Sequence, residues 1–209
     1  MLPVCASHAD VPEGFLQTTA LNPWFKSAGL SEHSSAVPFR DSPDLSRHSN
    51  FPVIMAAWLM KSEPEEFSID DLVKAPDQSV PWFGVRNYLA RNFMRDQMRI
   101  GDEVLFYHSS CPEPGIAGLA HVSTTAYPDK TQWDKKGKYF DPKATRENPR
   151  WMLVDVKLVK KTKLLSLAEM REQPSLADMV VLQKGNRLSI TPVKPLELKA
   201  VLKLLGTTF

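Results

Sequence analysis

Cysteine is scarce in this chain, since Cys5 and Cys111 are the only two among its 209 residues. They lie on opposite sides of a change in sequence character near residue 54, so we expect no disulfide between them and a reducing compartment. Near Cys111 the only further candidate metal ligands are His108 and His121, whereas zinc normally takes four ligands, or three and a water. The sequence therefore predicts neither a metal nor a cofactor.

Long apolar runs and address signals are also missing. No stretch approaches the roughly twenty apolar residues of a membrane span, so we expect a soluble protein without a membrane partner. Residues 1–50 have neither the basic start nor the apolar segment of a secretory signal, and their acidic residues argue against a mitochondrial transit peptide. We expect the cytoplasm as the location, or the nucleus in a eukaryotic host.

The chain carries no strong charge of either sign. Its formal net charge is +2, and the first 54 residues contain three Lys or Arg against five Asp or Glu, which leaves the remainder near +4. This balance permits contact with nucleic acid but does not require it.

Common enzyme motifs are absent as well. There is no Gly-rich phosphate loop, no G-x-S-x-G elbow and no H-E-x-x-H helix. We expect a protein without catalytic activity. Two alternatives stay open: an enzyme acting on a nucleotide or small molecule through Glu63, His108 or Cys111, and a scaffold that binds other proteins.

The sequence divides into two parts. Residues 1–54 lack helical or strand periodicity and are rich in turn-forming residues, so we expect a poorly ordered N-terminal extension. It stays open whether Met55 is the natural first residue. Residues 55–209 are predicted to form one α+β domain around a curved or barrel-like sheet, because strand and helix patterns alternate there without a βαβ rhythm.

Local patterns predict the elements of this domain. A capping box at Ser68 and Asp71 begins a short helix, and apolar residues at helical spacing predict a helix with a basic face over 85–98. Residues 102–107 and 115–124 predict an antiparallel hairpin, and 127–149 a long polar loop. Further predicted strands cover 56–60, 151–158 and 179–182, and further helices cover 165–170 and 195–205.

Three junctions mix aromatic residues with hydrogen-bonding groups. They read W-L-M-K-S-E-P from Trp58, P-W-F-G-V-R-N from Pro81 and F-Y-H-S-S-C-P-E-P-G from Phe106. Each alone fits an ordinary strand exit, a core aromatic or a turn cap. Together they indicate one pocket, in which a tryptophan face and an amide are suited to stack on an unpaired base and read its edge.

These junctions, with A-Y-P-D from Ala126, N-P-R-W from Asn148 and R-L-S-I from Arg187, resemble the EVE domain family from Trp58 to about Leu196. The resemblance implies a PUA-like pseudo-barrel with flanking helices, related to the YTH readers of methylated adenine. It also implies binding of a modified cytosine or related base in nucleic acid, with DNA and RNA both open.

The resemblance also implies a set of site residues. Glu63 stands where YTH readers carry an amide, and a carboxylate there would accept a hydrogen bond from an exocyclic amine. If that carboxylate points into water, this account of edge reading is wrong. The predicted ligand-binding residues are Lys61, Ser62, Glu63, Trp82, Val85, Asn87, Tyr107, His108, Ser109, Trp133, Tyr139, Trp151, Arg187 and Ser189. The predicted phosphate contacts are Arg86, Arg91 and Arg95.

Overall fold

The computed structural model describes residues 55–209, and the expectations for residues 1–54, Cys5 among them, lie outside that part. The strands are β1 (Ala57–Ser62), β2 (Ser79–Pro81), β3 (Glu103–His108), β4 (Gly115–Val122), β5 (Tyr127–Pro128), β6 (Met152–Leu153), β7 (Asp155–Ser166) and β8 (Ile190–Val193). The helices are α1 (Ile69–Lys74), α2 (Tyr88–Asn92), α3 (Leu167–Arg171) and α4 (Pro195–Leu205). Short 3₁₀ helices occupy Pro76–Gln78, Lys130–Trp133, Pro174–Leu176 and Val180–Leu182.

Six strands form one mixed sheet in the order β2-β7-β4-β3-β1-β8, and β5 pairs with β6 separately. Within the large sheet β1 runs parallel to β3, and the other neighbours are antiparallel. The predicted hairpin is confirmed as β3 and β4, and the α+β class with a mostly antiparallel sheet and flanking helices is confirmed too. The parallel pairing brings the ends of β1 and β3 side by side, since Ser62 lies opposite His108.

Strand β1 is buried on both faces of the sheet, and its successive side chains point to opposite sides. In β1, Trp58 and Met60 enter a cluster with α1 and Phe106, whereas Ala57 and Leu59 enter a second cluster with α3 and α4. The first of these cores lies under the candidate site.

Sequence patterns predicted the start of α1 and both ends of α4 correctly. At α1, the Asp71 N–H donates to Ser68 Oγ at 3.2 Å and the Ser68 N–H donates to Asp71 Oδ2 at 2.8 Å, which confirms the capping box. The last predicted helix is confirmed with the bounds of α4. The helix predicted over 85–98 begins only at Tyr88, with Asn87 as its N-cap, and changes to a π-helix at Phe93–Gln97.

The predicted strand at 179–182 is wrong. Its backbone turns instead, because the Leu182 N–H donates to the Met179 carbonyl at 2.9 Å and closes a 3₁₀ turn. A short apolar run does not distinguish a strand from a buried turn. The strand predicted over 151–158 is split at Val154, because β6 pairs with β5 whereas β7 pairs with β2 and β4. None of the helices between residues 55 and 209 has the length and apolar character that a membrane crossing requires.

A buried carboxylate ties the start of β1 to the turn before β3. Asp102 Oδ2 accepts from Trp58 Nε1 at 2.9 Å and from the Arg99 N–H at 3.0 Å, and Oδ1 accepts from the Ala56 N–H at 3.2 Å. Asp102 is 3% exposed.

Replacing Asp102 should destabilise the domain strongly. Asp102→Ala would leave the buried indole N–H of Trp58 without a partner, so we expect the free energy of unfolding to fall by about 2–4 kcal/mol. Urea denaturation measures this loss, with the exposed Asp178→Ala as the control, for which we expect little change. A loss no larger than that of the control would show that the Asp102 bonds contribute nothing.

Candidate functional site

A cavity of about 550 Å³ opens where β1 ends, beside the segment that follows β2. The predicted ligand-binding residues that line it are Lys61, Ser62, Glu63, Trp82, Val85, Ser109, Tyr139, Arg187 and Ser189. The first two junctions therefore meet as predicted, and the third contributes through Ser109 and its neighbour Ser110.

Aromatic side chains form much of the wall. Trp82 is 8% exposed and packs edge-on against Phe106, with ring centroids 5.5 Å apart and an interplanar angle of 85°. Phe83 is 53% exposed and meets Tyr139 edge-on at 6.1 Å. The cavity thus offers a fixed indole at the core and a more accessible phenyl ring towards solvent.

Gly84 allows Tyr139 to lie against the backbone of this wall. Its φ is +83°, and a Cβ built there would stand 2.7 Å from Tyr139 Cζ. Both the left-handed backbone and the close ring favour glycine at this position.

Arg86 joins the segment after β2 to the loop that carries Tyr139. Its Nη1 donates to Asp129 Oδ2 at 2.8 Å and to the Val85 carbonyl at 3.0 Å. Its Nη2 donates to Thr131 Oγ1 at 2.9 Å and to the Tyr139 carbonyl at 2.5 Å, and Nε donates to the same carbonyl at 3.0 Å. These bonds use all five N–H groups of a guanidinium. The predicted phosphate contact of Arg86 would require breaking one of them.

Asp129 is the other half of this connection and is 1% exposed. Besides Arg86, its carboxylate accepts from the Gly84 N–H at 3.0 Å and from the N–H and hydroxyl of Thr131 at 2.9 and 2.6 Å. Burial alone would raise the pKa of this carboxyl, but the hydrogen bonds from Thr131, Arg86 and Gly84 outweigh burial and lower the pKa. Asp129 is therefore held as an anion.

The polar wall comes from the adjoining ends of β1 and β3. The Ser109 N–H donates to the Ser62 carbonyl at 2.8 Å, and Ser62 Oγ donates to the Phe67 carbonyl at 2.6 Å. Lys61 is half-buried, and its burial lowers the pKa of the ammonium. Among residues 55–209 no carboxylate forms an ion pair with Lys61. Its ammonium can therefore donate to an acceptor in the cavity.

Glu63 lies at the mouth of the cavity and is exposed. Its Oε1 accepts from Ser110 Oγ at 3.0 Å, so the carboxylate is oriented by a cavity residue although water reaches it. The role of Glu63 in reading a base edge stays a prediction.

Three predicted ligand residues from the second and third junctions do not line the cavity. Asn87 Oδ1 caps α2 by accepting from the Leu89 and Ala90 N–H groups at 2.9 and 3.1 Å. Tyr107 lies in the core on the opposite face of the sheet from Phe106, and burial raises its pKa to about 12. His108 Nε2 accepts from the Ile69 N–H at 3.0 Å at the start of α1.

Two predicted tryptophans also lie away from the cavity. The Trp151 ring stacks on Tyr88 with centroids 5.0 Å apart, and its Nε1 donates to Asp141 Oδ2 at 2.7 Å. The Trp133 ring is covered by the guanidinium of Arg146 at 4.2 Å. Trp151 therefore packs between α2 and the loop that joins β5 to β6, and Trp133 packs within that loop.

The other two arginines predicted to contact phosphate, Arg91 and Arg95, form hydrogen bonds within the protein. Arg91 Nη1 donates to the Arg150 carbonyl at 2.5 Å, and Arg95 donates to Asp96 through Nε at 2.7 Å and Nη2 at 2.9 Å. Neither residue lines the cavity.

Sequence reasoning missed several residues of the wall and mouth. Phe67, Phe83, Glu66 and Lys138 line the cavity without having been predicted. Phe83 had a usable signal, because it stands between Trp82 and a glycine in the second junction. In the described part of the chain, His, Cys, Asp and Glu side chains form no group of three or more that could hold a metal ion.

Comparison with known proteins decides the family. The EVE domain matches residues 56–204 of this chain. Human thymocyte nuclear protein 1 is 44% identical over 70% of this chain and 72% of its own length. The chain belongs to the EVE domain family. The resemblance of the sequence to this family is confirmed, and so is the PUA-like fold that the resemblance implies.

Solved structures of similar proteins share this EVE fold. A hypothetical protein from Leishmania major superposes with a TM-score of 0.69 at 48% identity, covering 73% of this chain and 95% of that one. Human THYN1 protein in complex with 5-methylcytosine-containing DNA gives a TM-score of 0.69 at 42% identity, covering 74% of this chain and 99% of that one.

Substitution of Gly84 tests the wall of the EVE domain cavity. Gly84→Ala adds backbone strain and a clash with Tyr139, so we expect it to lower the thermal midpoint by more than strain alone would. Gly206→Ala is the matched control, since its φ of +66° brings similar strain and no atom lies within 4 Å of its Cβ position. Thermal denaturation compares the two variants, and equal losses would contradict the proposed contact.

We expect the stability of the domain to depend on pH through the hydrogen bond that His108 Nε2 accepts from the Ile69 N–H. Burial lowers the pKa of His108 below its ordinary 6.5, so the unfolded chain binds a proton before the folded protein does. We therefore expect stability to be full above about pH 6.5 and to fall as pH drops below that value. His108→Gln should lose stability at pH 7.5 and show a shallower decline towards pH 5. His121, whose pKa burial also lowers, contributes to the slope that remains. An unchanged slope in His108→Gln would refute this assignment.

Proposed function

We propose that this EVE domain binds nucleic acid that carries a modified base, with the base held in the cavity beside Trp82. The observation that carries the proposal is a cavity of about 550 Å³ lined by Trp82, Phe83 and Tyr139 together with hydrogen-bonding groups. Its volume lies in the range of small-molecule sites. The similar human THYN1 protein in complex with 5-methylcytosine-containing DNA supports this proposal.

A modified cytosine suits the chemistry of the lining. Trp82 offers a flat surface for stacking, and the apolar side chains of Phe67, Val80 and Val85 provide contacts for a methyl group on the base. Lys61 donates to acceptors on the edge of the base, and the Ser62 hydroxyl can accept from an amino group because its own proton is donated to Phe67.

We propose binding without catalysis. Of the three groups considered for an enzyme, Glu63 lines the cavity, whereas His108 and Cys111 do not. His108 Nε2 is also occupied by the Ile69 N–H, so it is not free to take a proton from a substrate. The two carboxylates that line the cavity, Glu63 and Glu66, are both exposed, and Glu66 is paired with Lys138. Neither is buried in the way that prepares a carboxyl group to act as a general acid.

We further propose that residues 55–209 fold and bind as one domain and that residues 1–54 are an extension outside it. The location proposed is the cytoplasm, or the nucleus in a eukaryotic host, where modified DNA would be available. Of the two polymers, the human relative's complex favours DNA as the partner.

Binding to matched duplexes tests the function. The full chain is titrated with DNA that carries one 5-methylcytosine or cytosine at the same position, and we expect tighter binding to the modified duplex. Phe83, the more accessible ring of the wall, is expected to stack on the base together with Trp82. Phe83→Ala should therefore weaken that binding about 5- to 150-fold, which corresponds to about 1–3 kcal/mol for an aromatic stack.

Phe140→Ala serves as control, since Phe140 is also exposed but does not line the cavity. Phe83 is preferred to Trp82 as the site of substitution because Trp82 also belongs to the core. Equal binding to both duplexes, with Phe83→Ala indistinguishable from Phe140→Ala, would refute the proposed function.

A further inference from the structure

The arginines predicted to contact phosphate supply no free cation at the mouth of the cavity, so phosphate binding there needs other cations. Arg86 has no free N–H group, and Arg91 and Arg95 do not line the cavity. A DNA-binding protein depends on phosphate contacts for much of its affinity. The cations in question should lie near the mouth of the cavity.

A lysine-rich turn lies directly before Tyr139. The sequence from 134 to 139 reads D-K-K-G-K-Y. The turn is closed by the Gly137 N–H donating to the Asp134 carbonyl at 2.9 Å, and the Lys136 N–H donates to Asp134 Oδ1 at 3.0 Å. Asp134 therefore shapes the turn, while the side chains of Lys135 and Lys136 are exposed. Across residues 55–209 neither of these two lysines forms an ion pair.

This turn is fixed to the wall of the cavity. Lys138 and Tyr139 line the cavity, and the Tyr139 carbonyl is held by Arg86. Lys135 is three residues from Lys138, so their Cα atoms are at most about 11 Å apart. Lysine side chains are long and flexible, so lysines at this spacing can reach neighbouring phosphates of one strand.

Lys138 is paired with Glu66 across the mouth, and the hydroxyl of Tyr139 donates to the other oxygen of Glu66 at 3.3 Å. The side chains of Lys138 and Glu66 are 67% and 50% exposed. Ion pairs between side chains this exposed contribute little to stability, so the ammonium can exchange one anion for another at small cost.

We propose that Lys135, Lys136 and Lys138 form the surface that binds the phosphates of the DNA strand carrying the base, and that Lys138 leaves Glu66 for a phosphate when DNA binds. This inference rests on the proposed function, because it places the DNA strand at the mouth of the same cavity. The surface contributes affinity, whereas the cavity provides discrimination between modified and unmodified bases.

Charge removal from the turn is the first test. The double variant Lys135→Gln, Lys136→Gln should have a shallower slope when the logarithm of its association constant for DNA is plotted against log[salt]. The slope should fall by about 1.8, since each phosphate contact contributes about 0.9. Affinity should fall equally for the 5-methylcytosine and cytosine duplexes, so their ratio stays constant. Lys199→Gln with Lys203→Gln is the matched control, because it removes the same charge from exposed positions of α4, and its slope should match that of the unmodified protein.

The second test releases Lys138 from Glu66, and we expect the affinity for DNA to rise. Glu66→Gln removes the anion that holds Lys138 while keeping an acceptor for Tyr139, so DNA should bind more tightly. Glu65→Gln removes the same charge one residue away, where no ion pair is present within the described residues. We expect a larger gain from Glu66→Gln than from Glu65→Gln, a result that misfolding cannot imitate.

The outcomes separate this inference from the proposed function. If the double variant of the turn keeps the original slope while the protein still prefers the modified duplex, the phosphate surface is wrong and the cavity proposal stands. If the protein does not distinguish the two duplexes but the slope falls only in the turn variant, the cavity proposal is wrong and the surface stands. Equal gains from Glu66→Gln and Glu65→Gln would overturn the exchange by Lys138.

Discussion

The ion pair between Arg86 and Asp129 holds two walls of the cavity together. Arg86 follows Gly84 in the segment after β2, and Asp129 begins the loop that returns to Tyr139, so the pair fixes the distance between them. A carboxylate that is 1% exposed needs several donors, and Asp129 receives four hydrogen bonds. Breaking such a pair on one side leaves an uncompensated charge and costs about 3–5 kcal/mol. The cavity is therefore held open by buried electrostatics as well as by aromatic packing.

Arginine and lysine have different places in this domain because their head groups differ. The planar guanidinium of Arg86 satisfies a carboxylate and two carbonyls at once, and it also lies 5.3 Å from the Tyr139 ring centroid. A lysine ammonium is a flexible point charge that can change partners, as an exposed turn at the mouth requires. A sequence with several arginines in and after its second junction can thus carry its mobile positive charge elsewhere.

Sequence predicted the hairpin, the α1 cap, α4 and much of the cavity lining because these depend on local pattern and on three recognisable junctions. It failed where the partner of a side chain is set by distant residues. Nothing local shows that Arg86 meets Asp129, 43 positions away. Tyr107 could have been placed better, because neighbours on a strand face opposite sides and Phe106 already points towards the Trp82 side. The position of Asn87 in the sequence fits both a contact to a base edge and a turn cap, and in the structure Asn87 caps α2.

The position of Glu63 changes how base recognition should work under the proposed function. Its carboxylate lies at the mouth, whereas Lys61 and Ser62 lie at the end of β1, where they are partly buried. A cytosine edge offers acceptors and one amino donor, and these match an ammonium and a hydroxyl lone pair without help from Glu63. The substituent that distinguishes a modified base is then detected by apolar contact with Phe67, Val80 and Val85. One methyl group in such a pocket is worth about 1 kcal/mol, so discrimination should be modest unless a displaced water or a clash adds to it.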